Sequence, residues 1–155
     1  MKELNTYRSQ LINRLVDAAN HFREACLTVK DPYAALEDGG WNVHQVAVHT
    51  RDVDTLVYGL RARRTAVEDN PEFPNFDGEA YMAEHYDANE SLKALLDDFV
   101  ENIESFAGML LQLPAEAWSR ESRHATMGGG FTLQTWVERD LAHIEEHVTT
   151  VKKGK

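Results

Sequence analysis

The sequence has one cysteine, four prolines and no long apolar run. Cys26 alone cannot form an intrachain disulfide or an all-thiolate zinc site, and such sparse cysteine use suits a reducing cytosol. The apolar runs are much shorter than the roughly 20 residues that cross a bilayer, and the N-terminal segment lacks the apolar core of a secretory signal. We therefore expect a cytoplasmic protein with no membrane partner.

Basic residues are also scarce, with 16 Lys and Arg against 26 Asp and Glu, so the formal net charge is −10. Nucleic-acid phosphates and anionic membrane surfaces repel a chain this acidic, and neither is an expected partner. Hydrophobic residues make up 43% of the 155 residues, enough to bury one core. We expect a single domain over residues 1–155.

Apolar residues recur at helical spacing in four segments. The first helix covers residues 3–29, and Cys26 lies on its apolar stripe as a small buried hydrophobe. The second helix begins after Asn42, which with Gln45 forms a capping-box pattern, and continues to about Val67. Its inward side chains are predicted to be Val46, His49, Val53, Leu56, Val57 and Leu60.

The second half of the chain supplies two further helices. Residues 68–86 have no sustained period and predict a long connection with a short helical turn near Tyr81. Asp87 with Glu90 is a plausible cap for the third helix, which Pro114 closes, and Thr132 is the predicted cap of the fourth. Between Pro114 and Thr132 we expect a polar loop that includes residues 121–124 and the glycines at 128–130. No segment predicts a strand, so the fold class is an all-α four-helix bundle.

Histidines are the candidate functional residues. His143 and His147 are four residues apart, so their side chains share one helix face and can bind one metal ion. His49 is the candidate third ligand because the helical pattern turns it inward. Three neutral imidazoles leave coordination positions open, as in catalytic metal sites. Asp140 and Asp52 lie close enough along their helices to orient an imidazole or to complete the coordination.

The alternative interpretation is that these histidines only satisfy packing and hydrogen bonds in the bundle. The other four, His21, His44, His85 and His124, are predicted on polar faces or in loops without a special role. The basic cluster of Arg61, Arg63 and Arg64 is interpreted as a solvated helix end. Zinc-protease and di-iron patterns do not fit, because Ile144 follows His143 and the single Glu-x-x-His lies in the predicted loop.

The segment WNVHQVAVH from Trp41 to His49, followed by His143-x-x-x-His147, resembles the DinB/YfiT-like superfamily, which includes the N-terminal domains of mycothiol-dependent maleylpyruvate isomerases. The resemblance covers nearly the whole chain. It implies a four-helix bundle of up-down-down-up order with a long connection between helices 2 and 3, usually as a homodimer. It also implies a divalent metal ion held by His49, His143 and His147.

Two functions are then open, and the resemblance implies the first of them. The first is a metal-dependent enzyme of the S-transferase or isomerase type that uses a low-molecular-weight thiol such as mycothiol or bacillithiol. The second is a non-catalytic, metal-binding or stress-related dimeric helical bundle. Imidazole ligands suit zinc, nickel, copper or iron, and manganese is also a candidate, so the sequence does not name the metal.

Overall fold

The computed structural model describes residues 1–154, and its main elements are long helices, as the periodicity predicts. The helices are α1 (Lys2–Leu27), α2 (Val43–Val53), α3 (Gly59–Val67), α4 (Gly78–His85), α5 (Leu92–Gln112) and α6 (Leu133–Lys153), with a π-helical turn at Asp54–Tyr58 and a 3₁₀ turn at Ala115–Ser119. The strands are β1 (Glu72–Phe73), β2 (Glu121–His124) and β3 (Gly128–Thr132). None of the helices within residues 1–154 combines the length and apolarity needed to cross a membrane.

Four long helical segments make a bundle: α1, the continuous run of α2, the π turn and α3, then α5 and α6. Helix α1 packs against α5 and α6, and the α2–α3 run packs against α6 and α5. The apolar stripes meet in one core, whose largest fully buried side chains include Phe22, Phe99, Phe106 and Trp136. Cys26 is fully buried in this core, as its place on the α1 stripe predicts.

The start of α2 is fixed by the predicted capping box. The Asn42 side chain accepts from the backbone N–H of Gln45 at 2.8 Å, and the Asn42 N–H donates to Gln45 Oε1 at 2.9 Å. Thr132 caps α6 through Thr135 N–H, which confirms the second predicted cap. The predicted cap of the third helix is wrong, because Ser91, rather than Asp87, caps α5 by accepting from Ala94 N–H.

The π turn shifts the helical phase of the second segment. Here the N–H of Gly59 bonds to the carbonyl of Asp54, five residues back, so one extra residue is accommodated. A Cβ at Gly59 would lie 2.5 Å from that carbonyl oxygen, so only glycine fits. The extra residue turns the later side chains by about 100°, one step on the helical wheel. Leu56, predicted inward, is therefore exposed, and Arg61 is buried where the pattern placed Leu60.

A small sheet lies beside the end of the bundle where α6 begins, and its existence corrects the prediction of a strandless fold. Strand β2 is central, parallel to β1 and antiparallel to β3. The predicted polar loop is thus wrong at residues 121–124 and 128–130, which are strand. Alternation along β2 buries Ser122 and His124, and Ser122 Oγ accepts from Trp136 Nε1 at 2.8 Å. This bond ties the sheet to α6.

Candidate metal centre

The three predicted histidines come together where α2 packs against α6. His143 Nε2 lies 3.2 Å from His49 Nε2 and 3.1 Å from His147 Nε2. One ligand nitrogen from each residue lies within 4.8 Å of the other two, the geometry of a shared metal site. We call these three residues the histidine triad. Each side chain is half-buried, so the triad is reached from outside the core.

Burial keeps the triad uncharged at neutral pH. Loss of hydration, together with repulsion by a charged His147, lowers the pKa of His49 to about 4 and that of His143 to about 3, and His49 adds to the repulsion on His143. Loss of hydration also lowers the pKa of His147. Neutral imidazoles are the form that binds a metal ion, so no proton has to leave before the ion binds.

The spacing of the nitrogens fits one ion. Imidazole nitrogens bound to a common ion at about 2.0–2.1 Å, with bond angles of 90–110°, lie about 2.8–3.4 Å apart. The separations of 3.1 and 3.2 Å, for the two pairs that include His143, fall in this range. Nδ1 of His143 and of His147 is buried without a hydrogen-bond partner among the described residues. If Nδ1 carries the ring proton in both, the Nε2 lone pairs are free to face a cation.

Asp140 and Asp52, the carboxylates predicted to support the triad, do not hydrogen-bond to its imidazoles. Asp140 is fully buried and adjoins Asp54 in the π turn, and apart from that carboxyl group none of the described residues offers a hydrogen bond to its oxygens. Burial, and then repulsion by Asp54, raises the pKa of Asp140, and burial raises that of Asp54. Asp52 forms an ion pair with Arg51 at 3.1 Å. Neither Asp140 nor Asp52 therefore orients a triad imidazole through a direct hydrogen bond.

His49 is fixed by aromatic and backbone contacts. The Trp41 ring lies 5.0 Å from the His49 ring, so the residue that opens the WNVHQVAVH segment forms a wall of the triad. On the other side, a Cβ at Gly78 would lie 3.0 Å from His49 Cε1. The first turn of α4 can approach the imidazole this closely only because residue 78 has no side chain.

Two cavities adjoin the triad. The larger, of about 660 Å³, contacts His147 and is also lined by Trp41, Glu79 and Lys153. The smaller, of about 240 Å³, contacts His49 and His143 and is also lined by Tyr58. The triad therefore lies between two spaces, each large enough for a small molecule.

Sequence reasoning missed two buried histidines. His44 is fully buried, with Nδ1 2.7 Å from Tyr86 Oη and Nε2 2.7 Å from the Glu90 carbonyl, so it joins α2 to the connection before α5. His124 is 3% exposed on β2 and lines the smaller cavity. The segment around His124 has turn residues and no alternating apolar pattern, so the sequence did not indicate the strand that places His124 in this cavity.

The basic cluster at the end of α3 is also different from its prediction. Arg61 is 6% exposed rather than solvated, and its guanidinium lies 4.9 Å from the Trp136 ring centre. Arg64, by contrast, pairs with Glu68 one turn later. The phase shift at the π turn explains why Arg61 points inward.

Comparison with known proteins places the chain among bundles of this kind. The family model described as the mycothiol maleylpyruvate isomerase N-terminal domain matches residues 17–147. A solved structure, YfiT from Bacillus subtilis, described as a probable metal-dependent hydrolase with an unusual four-helix bundle topology, matches with a TM-score of 0.85 at 21% identity, covering 95% of this chain and 85% of that one. No curated protein matches the chain. These matches confirm the resemblance to the DinB/YfiT-like superfamily.

Proposed function

The chain belongs to the mycothiol maleylpyruvate isomerase N-terminal domain family, and from this premise we propose that it is a divalent-metal-dependent enzyme that acts with a low-molecular-weight thiol. His49, His143 and His147 are the proposed ligands. The observation that carries the proposal is that three uncharged imidazoles bring one ring nitrogen each to within 4.8 Å of the other two, with Nε2 separations of 3.1 and 3.2 Å for two of the pairs. Zinc, nickel, iron and manganese are the candidate ions.

The triad's position between two cavities supports a reaction with two reactants. A divalent cation there would supply a Lewis acid that lowers the pKa of a thiol. The larger cavity, lined by Glu79 and Lys153, offers charged partners to a polar thiol such as mycothiol or bacillithiol. The smaller cavity would hold the electrophile against His49 and His143. Transfer to a haloarene would form a sulfur–carbon bond as the carbon–halogen bond breaks, and the halide and the thiol proton would be released. With an epoxide, the sulfur–carbon bond would form as a ring carbon–oxygen bond breaks, and that oxygen would take up the proton.

Metal content is the first test of this proposal. Elemental analysis of protein purified without a histidine tag is expected to give about one divalent ion per chain, and His143→Ala is expected to lose it. His21→Ala is the matched control, because His21 is exposed on α1 and away from the triad. A wild-type protein that neither holds nor is stabilised by zinc, nickel, iron or manganese would refute the site.

Thiol consumption is the second test. The metal-loaded protein is mixed with mycothiol or bacillithiol and a haloarene or an epoxide, and loss of free thiol is followed. Wild-type protein is expected to exceed His49→Ala, and reaction of the electrophile at the same rate without thiol would indicate hydrolysis instead. Equal background rates in both proteins would favour a non-catalytic metal-binding bundle.

Three further properties are part of the proposal. We propose a homodimer in the cytoplasm, on the basis of the family resemblance and of the single, buried Cys26. We also propose the up-down-down-up order, for which residues 68–91 supply a connection long enough to return along the bundle. Sedimentation equilibrium tests the dimer, and a monomer at micromolar concentration would contradict it.

A further inference from the structure

The smaller cavity combines the triad with an unusual set of cationic and donor groups. We propose that this cavity is an anion subsite, in which Arg61, Arg139 and His124 bind the carboxylate of a small organic acid. Its use as a substrate site rests on the proposed function, whereas the binding of the anion does not. Four observations carry the inference: a buried arginine, a second arginine near it, a histidine with a fixed donor, and the lining of the cavity.

Arg61 is a buried cation without an anionic partner among residues 1–154. It is 6% exposed, and within the described part of the chain its guanidinium donates to the Pro74 carbonyl at 2.9 Å. Its guanidinium lies against the Trp136 and Phe73 rings, at 4.9 and 5.8 Å from their centres. None of the described carboxylates pairs with it. A buried charge is costly unless it is paired, so a ligand that supplies the missing anion would be bound favourably.

Arg139 brings a second positive charge to the same wall. It lies on α6, with its guanidinium 5.9 Å from the centre of the Trp136 ring and 5.3 Å from that of Phe131. It too forms no ion pair within the described part of the chain. Burial lowers the pKa of the Arg61 guanidinium; Tyr58 opposes this shift, and the charge on nearby Arg139 adds to it. An anion between the two arginines would relieve this repulsion.

His124 adds a neutral donor of fixed orientation. Its Nδ1 accepts from the backbone N–H groups of Thr126 at 3.2 Å and Met127 at 3.1 Å, so Nδ1 carries no proton. The ring proton must therefore be on Nε2. Among the described residues nothing accepts a hydrogen bond from that Nε2–H, and the residue lines the cavity. The tight turn between β2 and β3 thus presents an unused donor beside the two arginines.

The lining and size of the cavity indicate the class of ligand. No described residue that lines it is acidic, although the chain as a whole carries a net charge of −10. Val53, Val57 and Phe76 supply apolar walls, and the volume of about 240 Å³ lies below the roughly 300 Å³ where pockets for drug-sized ligands begin. A planar carboxylate matches the guanidinium fork. We infer a small organic acid whose remaining atoms face His49 and His143.

Calorimetric titration with benzoate, and with benzamide as its neutral counterpart, tests the subsite. Benzoate is expected to bind more tightly than benzamide, and added salt is expected to weaken only benzoate. Arg139→Gln and Arg61→Gln are each expected to weaken benzoate about tenfold or more, since a hydrogen bond to a charged group is lost. Arg64→Gln is the matched control, because Arg64 pairs with Glu68 outside the cavity lining. It is expected to leave the affinity within about twofold.

Further variants and measurements decide the test if one of the arginine variants does not fold. If Arg61→Gln does not fold, Arg139→Gln and His124→Gln decide, and the Nε2–H resonance of His124 is expected to shift as benzoate is added. Equal binding of benzoate and benzamide, or unchanged affinity in the variants, would overturn the inference. Tighter binding of inorganic phosphate than of benzoate would overturn the carboxylate assignment.

The result is separable from that of the proposed function. Titrations are repeated on metal-stripped protein and on His147→Ala, because His147 does not line this cavity. Benzoate binding in protein that never takes up metal would leave the subsite standing and refute the metal centre. Normal metal content without benzoate binding would refute the anion subsite and leave the metal centre standing.

Discussion

Replacing His143 by glutamine is expected to make the metal-free protein less sensitive to acid. The pKa of His143 in the folded protein, about 3, lies far below the value of 6.5 for an unperturbed histidine. In mild acid the folded protein therefore keeps the ring neutral, whereas the ring is protonated in the unfolded chain. A lowered pKa stabilises the fold above pH 6.5, and this contribution is lost as the pH falls toward 3. At pH 5.5 the unfolded state gains RT ln(1 + 10), about 1.4 kcal/mol, against less than about 0.1 kcal/mol at pH 7.5.

Urea unfolding of metal-stripped protein at both pH values measures this term. Between pH 7.5 and 5.5, the wild-type protein is expected to lose about 1.4 kcal/mol more free energy of unfolding than His143→Gln. Titrating groups away from the triad contribute equally to both proteins and cancel in the comparison. His21→Gln, at an exposed position, is expected to behave as the wild type does. The same loss in His143→Gln as in the wild type would refute the reasoning, since His143 would then not be held neutral in the fold.

Two other substitutions address the surroundings of the triad. Asp140→Asn is expected to raise the free energy of unfolding at pH 7 by about 1 kcal/mol, because the amide can donate to Asp54 at any pH, whereas Asp140 can donate only while it keeps its proton. Because both pKa values are raised, the wild-type pair costs stability as the pH rises above about 4. The melting temperatures at pH 5 and pH 7 are therefore expected to differ less in Asp140→Asn than in the wild type. A melting temperature of the variant below that of the wild type at pH 7 would contradict the prediction. Gly78→Ala is expected to displace His49 and to weaken metal binding about tenfold in chelator competition, while its melting temperature stays near the wild-type value. Unchanged metal affinity would show that α4 does not position His49.

The bundle was predictable because its signals are local. The capping box at Asn42, the cap at Thr132 and the four-residue spacing of His143 and His147 each depend on neighbouring residues along one helix. Placing His49 beside that pair needed only the period of a second helix. Local pattern therefore predicted both the helices and the meeting of the triad.

The sheet and the buried arginine depend on contacts that no local pattern carries. Strand β1 pairs with β2 about fifty residues later, so neither segment shows a strand period by itself. The π turn changes the helical phase in mid-helix, which is why Leu56 and Arg61 exchanged their predicted environments. Both missed features lie beside the smaller cavity, so the part of the site that sequence reasoning overlooked is the part that the proposed carboxylate would contact.

The location of the buried polar groups links the site to the stability of the fold. Helices α1 and α5 meet through apolar side chains such as Phe22 and Phe99. Where α2 and α3 pack on α6, the buried groups instead include Asp54, Asp140 and Arg61. Each of these weakens the packing unless a partner neutralises it. A ligand that neutralises one of these groups should therefore stabilise the folded bundle.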